Sequence, residues 1–210
     1  MEAYQRDDLD FFVTPAYVVE AILPHLALGG LVLDPCAGEG NILDVVSDII
    51  GVSNVIAYEI DPTRAAVCDS KGYTAINRID EGVAAFEKTV CRDALSSKPW
   101  HSVDLVIMNP PYRRAQEFVE RACDEMSSTN GTVAALLPLT WVESIKRYEF
   151  HRVCPGDFYF MAQRPSFTGD NKTDSVGYMW AIYGPGRGGR WYPLTLEKSK
   201  SKLTRLPFGF

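Results

Sequence analysis

Five short apolar runs constrain the fold more than anything else in this chain. LVLD (31–34), NVIAYEI (54–60), TVCRDA (89–94), VDLVIM (103–108) and GTVAALLPL (131–139) have the length and β-branched content of strands buried on both faces. The stretches between them read mostly as helices. Thr14-Pro15 offers a cap and a first-turn proline ahead of Val18, Ala21, Ile22 and Leu26 at helical spacing, and Gly29-Gly30 ends that helix. Further helices are expected over about 42–50, after the Asp61-Pro62 pair, and over about 114–126 and 142–152. Residues 73–88 are the least patterned part and read as a short strand and a helix near 81–86. Parallel strands need such crossovers, and both faces of the sheet are then covered by helices. The end of the chain breaks the alternation, because DFYFMAQ (157–163) and VGYMWAIY (176–183) are strands with no helix between them. The expected fold class is α/β: a doubly wound, mainly parallel seven-stranded sheet with a C-terminal antiparallel hairpin.

With 210 residues there is room for one such unit and little else. The glycines and prolines of YGPGRGGRW (183–191) mark its end, so one domain over 1–184 and a basic extension over 185–210 are expected, with no separate recognition domain. The net charge of −6 argues against a generic nucleic-acid binder, but the charge is uneven. From Pro185 onward Arg187, Arg190, Lys198, Lys200, Lys202 and Arg205 face Glu197 alone, a net of +5 against −11 for the rest. No apolar run has the length of a membrane span, so no membrane partner is expected. MEAYQRDDLDFF lacks the basic start and apolar centre of a secretory leader, which points to the cytoplasm. Cys36, Cys68, Cys91, Cys123 and Cys154 are widely spaced, with no Cys-x-x-Cys and no nearby histidine pair, so free thiols and no metal are expected. His25, His101 and His151 show no partner spacing, and Trp141, Trp180 and Tyr178 read as core or interface residues.

In doubly wound sheets, ligands bind beyond the carboxyl ends of the strands. The unusual residues of this sequence fall there. DPCAGEG follows the first strand, with Asp34 at its end and Gly38 and Gly40 in a turn that a ligand can approach closely. Glu59 and Asp61 end the second strand, at the distance from the glycine turn that suits ribose hydroxyls. Asp93 ends the third. Carboxylates at successive strand ends would repel a pyrophosphate and suit a ligand with hydroxyls, an amine and a positive charge. After the fourth strand comes Asn109-Pro110-Pro111-Tyr112.

In order and spacing these segments resemble the S-adenosylmethionine-dependent methyltransferases. DPCAGEG is similar to their first motif, YEIDP to the second and RDA to the third. NPPY is similar to the catalytic motif of the amino-methyltransferases, and FFVTP to the cofactor-packing segment of adenine-N6 DNA methyltransferases. The resemblance spans residues 11–183 and implies S-adenosyl-L-methionine as cofactor. It implies cofactor contacts from Phe12, Thr14, Asp34, Pro35, Gly38, Gly40, Glu59, Asp61, Asp93 and Asn109, with Glu59 on the ribose and Asp93 on the adenine amine. Cys36, inside the glycine turn, is given no chemistry.

The implied catalytic residues are Asn109, Pro110, Pro111 and Tyr112. An exocyclic amine on a base is a poor nucleophile, because its lone pair is delocalised into the ring. The Asn109 side-chain oxygen and the Pro110 carbonyl, held at its two hydrogens, would pull the nitrogen towards tetrahedral geometry. Proline's fixed φ and missing N–H suit the second task, and Tyr112 would stack on the base. Phe167, in RPSFTG, is a candidate second aromatic face for a base taken out of its stack. Arg113 and Arg114, with Arg164 and the basic tail, are candidates for phosphate contacts. The implied function is methylation of the adenine N6 amine in DNA. RNA adenine, the glutamine amide of a protein and a non-catalytic cofactor-binding module are the alternatives. Target recognition would be loose or borrowed from a partner protein or a second copy.

Overall fold

The computed structural model describes residues 12–73, 75–76, 86–87, 90–91, 93–96, 100, 103–167 and 175–196. In chain order the helices are α1 (Ala16–Ile22), α2 (Asn41–Ile50), α3 (Pro62–Ser70), α4 (Ala115–Ser127) and α5 (Ile145–Val153). The strands are β1 (Val32–Asp34), β2 (Val55–Glu59), β3 (Ala75–Ile76), β4 (Phe86–Glu87), β5 (Val90–Cys91), β6 (Leu105–Met108), β7 (Thr132–Pro138), β8 (Gly156–Met161), β9 (Tyr178–Tyr183) and β10 (Trp191–Leu194).

The main sheet has eight strands in the order β10-β8-β9-β7-β6-β1-β2-β5. Pairing is parallel from β7 through β6, β1 and β2 to β5, and β9 is antiparallel to both β7 and β8. This is the doubly wound mixed sheet expected from the sequence, with its hairpin at the C-terminal end. The eighth strand is the difference. WYPL, within the stretch read as a basic extension, pairs parallel to β8 and takes the edge. Residues 81–85 of the expected helix lie outside the described residues, but Phe86, assigned to its end, pairs with Ile76 in a two-stranded ribbon. His101 and the tail lysines also lie outside the described residues.

Side chains alternate between the faces of the sheet, as a period of two requires. Val32, Val55, Leu105, Leu136 and Trp180 join α1 and α2 in one core layer. Leu33, Ile56, Val106, Leu137 and Met179 join α4 in the other. β1, β2 and β6 are buried along their whole length, because helices cover both faces there. Trp141 and Trp180 are core residues, as expected, and bury their indole N–H groups on the Tyr183 hydroxyl and the Val18 carbonyl at 2.9 and 3.0 Å. Among the described residues, no helix is long and apolar enough to cross a membrane.

Candidate active site

From β1 the chain runs outward to β2 and β5, then returns to the other side of β1 for β6 and β7. Strand order therefore reverses between β1 and β6, where loops leaving the two carboxyl ends diverge and open a crevice. Those loops are DPCAGEG and NPPY. Between them lies a cleft of about 200 Å³, lined by Phe12, Thr14, Asp34, Glu59, Asp93 and Asn109 among others.

Asn109 follows the last residue of β6. Its Nδ2 donates to the Thr14 hydroxyl, 95 positions away in the chain, at 3.0 Å. Its Oδ1 is buried and has no hydrogen-bond partner among the described residues. An unpaired buried carbonyl costs about 1–3 kcal/mol, so in a cleft wall it is set to accept from a ligand. Pro110 is itself outside the cleft lining, which resumes at Pro111. Pro110 is buried, and the carbonyls of Pro111 and Tyr112 accept from the Arg114 and Ala115 amides. Among the described residues, no amide donates to the Pro110 carbonyl.

Across the cleft, Gly38 and Gly40 both adopt positive φ, +57° and +84°. At Gly40 a Cβ would also fall 2.8 Å from the Tyr73 ring, so both backbone and space require glycine. The turn is tied to β2 by the Glu59 carboxylate. Its Oε2 accepts from the Gly38 amide at 2.7 Å and its Oε1 from the Asp61 amide at 2.9 Å. Each oxygen keeps a lone pair for a ligand hydroxyl.

Asp34 is buried at the bottom of the cleft. Burial, with the Glu59 charge adding to it, pushes its carboxyl up to about 7, although the Cys36 amide donates to Oδ1 at 3.1 Å. The Cys36 thiol is pushed well above its ordinary range by burial and by Asp34 and Glu59, so it stays protonated. It lies between Asp34 and the Asn109 backbone amide and lines the cleft, a position its sequence context did not suggest.

Of the expected site residues, Phe12, Thr14, Asp34, Pro35, Glu59, Asp93, Asn109, Pro111, Arg113 and Arg114 line this one cleft. Asp93 accepts from the Leu95 amide at 3.0 Å. Arg113 and Arg114 are exposed at the mouth, and Arg114 shares an ion pair with Glu117 at 3.1 Å. Asp61 is outside the lining and acts as a cap for α3, accepting from Thr63 and Arg64 at 2.9 and 3.0 Å. Tyr112 sits behind Phe12, whose ring stacks on it at 5.8 Å and 19°. Phe167 is buried, and meets Tyr178 edge-on at 4.9 Å and Phe12 at 6.2 Å. Besides Cys36, sequence reading missed Ala37, Asn41, Ile42, Ile60, Arg64, Ala94 and Phe118 in the lining. Only Ile60 carried a signal: it is a large apolar residue directly after a strand-end acid, and it is 45% exposed.

No family model matches the sequence, and no curated protein matches it. Solved structures do match. A modification subunit of a putative type I restriction enzyme from Vibrio vulnificus YJ016 is similar at 15% identity with a TM-score of 0.59, over 89% of this chain. The chain spans 47% of that subunit's length. A putative class I S-adenosylmethionine-dependent methyltransferase from Listeria monocytogenes is similar at 13% identity and a TM-score of 0.61, over 94% of this chain and 69% of that one. A putative RNA methyltransferase from Pyrococcus horikoshii is similar at 16% identity and a TM-score of 0.56, over 88% and 92%. The fold these likenesses show is the Rossmann-like fold of class I methyltransferases.

Proposed function

We propose that this chain transfers a methyl group from S-adenosylmethionine to the exocyclic N6 amine of adenine in DNA. The observation that carries the reading is Asn109: its amide nitrogen is tied to Thr14, and its oxygen is buried and unpaired in the cleft wall. An amine that must be held by its hydrogens needs such an acceptor, and the Pro110 carbonyl, to which no amide donates among the described residues, would be the second.

The residues across the cleft fit the donor. Asp34, Cys36 and Thr14 would border its amino-acid part, Glu59 its ribose hydroxyls and Asp93 its adenine amine, with Ile60 and Phe118 supplying apolar surface for the flat ring. When bound, S-adenosylmethionine supplies an activated methyl on a positively charged sulfur. The protein's own contribution is placement. Asn109 and Pro110 hold the amine hydrogens and aim the nitrogen lone pair, and the buried cleft walls exclude water. Asn109 cannot take a proton, so the proton leaves after transfer, to solvent. The amine of a paired base is engaged inside the duplex, so the base would be taken out of its stack to present it. Arg113 and Arg114 at the mouth would then meet the phosphates.

The test is methyl transfer from a radiolabelled donor to unmethylated DNA, bulk RNA and protein. DNA is expected to carry the label as N6-methyladenine, and Asn109→Ala to lower the rate by about 100-fold or more. Label in RNA or protein alone refutes the DNA assignment, and label in none of them refutes the enzyme.

A further inference from the structure

We infer that Thr14 is a positioning residue: it holds the Asn109 amide with its carbonyl facing the cleft, and it couples that orientation to what occupies the neighbouring end of the cleft. This rests on the methyl-transfer reading, which gives Asn109 Oδ1 the task of accepting from the substrate amine.

A side-chain amide has two ends of nearly equal size and opposite hydrogen-bonding character. With its carbonyl inward, Asn109 accepts from an amine. Turned by half a revolution, it presents N–H groups to the amine's own hydrogens and holds nothing. Shape does not decide between the two; hydrogen bonding must. Among the described residues, the one bond made by the Asn109 side chain runs from Nδ2 to Thr14.

The Thr14 hydroxyl suits a fixed anchor. Thr14 is 4% exposed and precedes Pro15, whose extended backbone leads into α1. In turn α1 buries Val18, Val19 and Ile22 completely, so the hydroxyl is attached to the core of the domain. Two residues earlier in the same segment, Phe12 stacks on Tyr112. This short segment therefore braces both ends of the NPPY loop.

A hydroxyl has one hydrogen to give and lone pairs to receive with. Left alone, it can satisfy either end of an amide. When its hydrogen is engaged elsewhere, it can only accept, and Asn109 must then turn its N–H groups outward and its carbonyl inward. Thr14 lines the same cleft as Asp34 and Cys36. A carboxylate at that end, such as the one on the amino-acid part of the methyl donor, takes the Thr14 hydrogen and leaves a lone pair for Nδ2. Filling the donor end of the cleft thus sets the acceptor end.

The experiment compares the full-length wild type with Thr14→Val, Thr14→Ala and Thr14→Ser. It measures kcat for methyl transfer, affinity for S-adenosylhomocysteine by calorimetry, and hydrogen exchange of the Asn109 side-chain amide by NMR with and without that ligand. Both Val and Ala are expected to lower kcat at saturating methyl donor about 10- to 100-fold and to weaken ligand binding about 10-fold, the loss of one hydrogen bond to a carboxylate. They are also expected to speed exchange at the Asn109 amide and to abolish its slowing by ligand. Ser is expected to restore both readouts. A Val variant with wild-type kcat and exchange overturns the inference. Weaker ligand binding with kcat at saturating methyl donor unchanged overturns it as well, because Thr14 would then be a cofactor contact only. If the wild type labels no acceptor, the methyl-transfer reading falls, and amide exchange alone still decides whether Thr14 holds Asn109.

Discussion

Asp34 is 1% exposed, and its carboxyl is pushed from 3.8 up to about 7, chiefly by burial. The unfolded chain releases this proton near 3.8, whereas the folded chain keeps it to about 7. Its contribution to stability is therefore complete below 3.8, declines between those values and is gone above 7. Asp34→Asn removes the cost of the buried charge, so the variant is expected to melt several degrees higher than wild type at pH 8 and at about the same temperature near pH 4. Ligand binding should move the other way. Affinity of the wild type for a ligand carrying an ammonium should rise as pH rises through 7, and in Asp34→Asn it should be weak and flat with pH. Calorimetry at pH 6 and 8 beside thermal melts checks both. Asp34, Glu59, Asp93 and Asn109 were legible in the sequence because acids and an amide at strand ends have no packing reason to be there. Cys36, Ala94 and Phe118 were not legible, because a lining residue differs from a core residue only in what lies on its other side. The Thr14–Asn109 bond was hidden for a different reason: 95 positions separate its partners, and no local pattern encodes such a meeting.

β10 shows the same limit at the scale of an element. Its four residues include Pro193 and follow a glycine-rich loop, so their local pattern argues against a strand. What makes the strand is Asp157 on β8, which is fully buried. One carboxylate oxygen accepts from the Gly188 and Arg190 amides at 3.0 and 3.1 Å, and the other from the Arg190 guanidinium at 2.9 Å. Burial alone would raise this carboxyl, but the Arg190 guanidinium and the two amides outweigh it and hold it below the usual carboxylate range. The stability it contributes is present at neutral pH and is lost as pH falls through that lowered value. Asp157→Ala leaves two amides unpaired and is expected to cost about 2–3 kcal/mol, with hydrogen exchange rising first over 186–194. The main parallel strands, by contrast, were legible, because burial on both faces leaves a continuous apolar run that no surface element carries.

Taken as a whole, the molecule gathers its candidate site on one rim. β6 and β7 run parallel to β1, β8 is antiparallel to β9, which is antiparallel to β7, and β10 is parallel to β8. The carboxyl ends of β8 and β10 therefore share the rim of the NPPY loop. There the Ala162 amide donates to the Leu194 carbonyl at 2.8 Å, and the Leu196 amide to Gln163 at 2.8 Å. The chain passes Leu196 on this rim and continues into the basic stretch with Lys198, Lys200, Lys202 and Arg205. Removing residues 197–210 is expected to weaken DNA binding and to flatten its dependence on salt by roughly 0.9 for each phosphate that the tail neutralises, with S-adenosylhomocysteine affinity unchanged. Titrations at several salt concentrations check this, and an unchanged slope would mean that the tail does not touch phosphate. Phe12 and Thr14, ahead of α1, line the cleft on the same rim. The cleft, the NPPY loop and the carboxyl ends of β8 and β10 therefore lie along a single edge of the sheet.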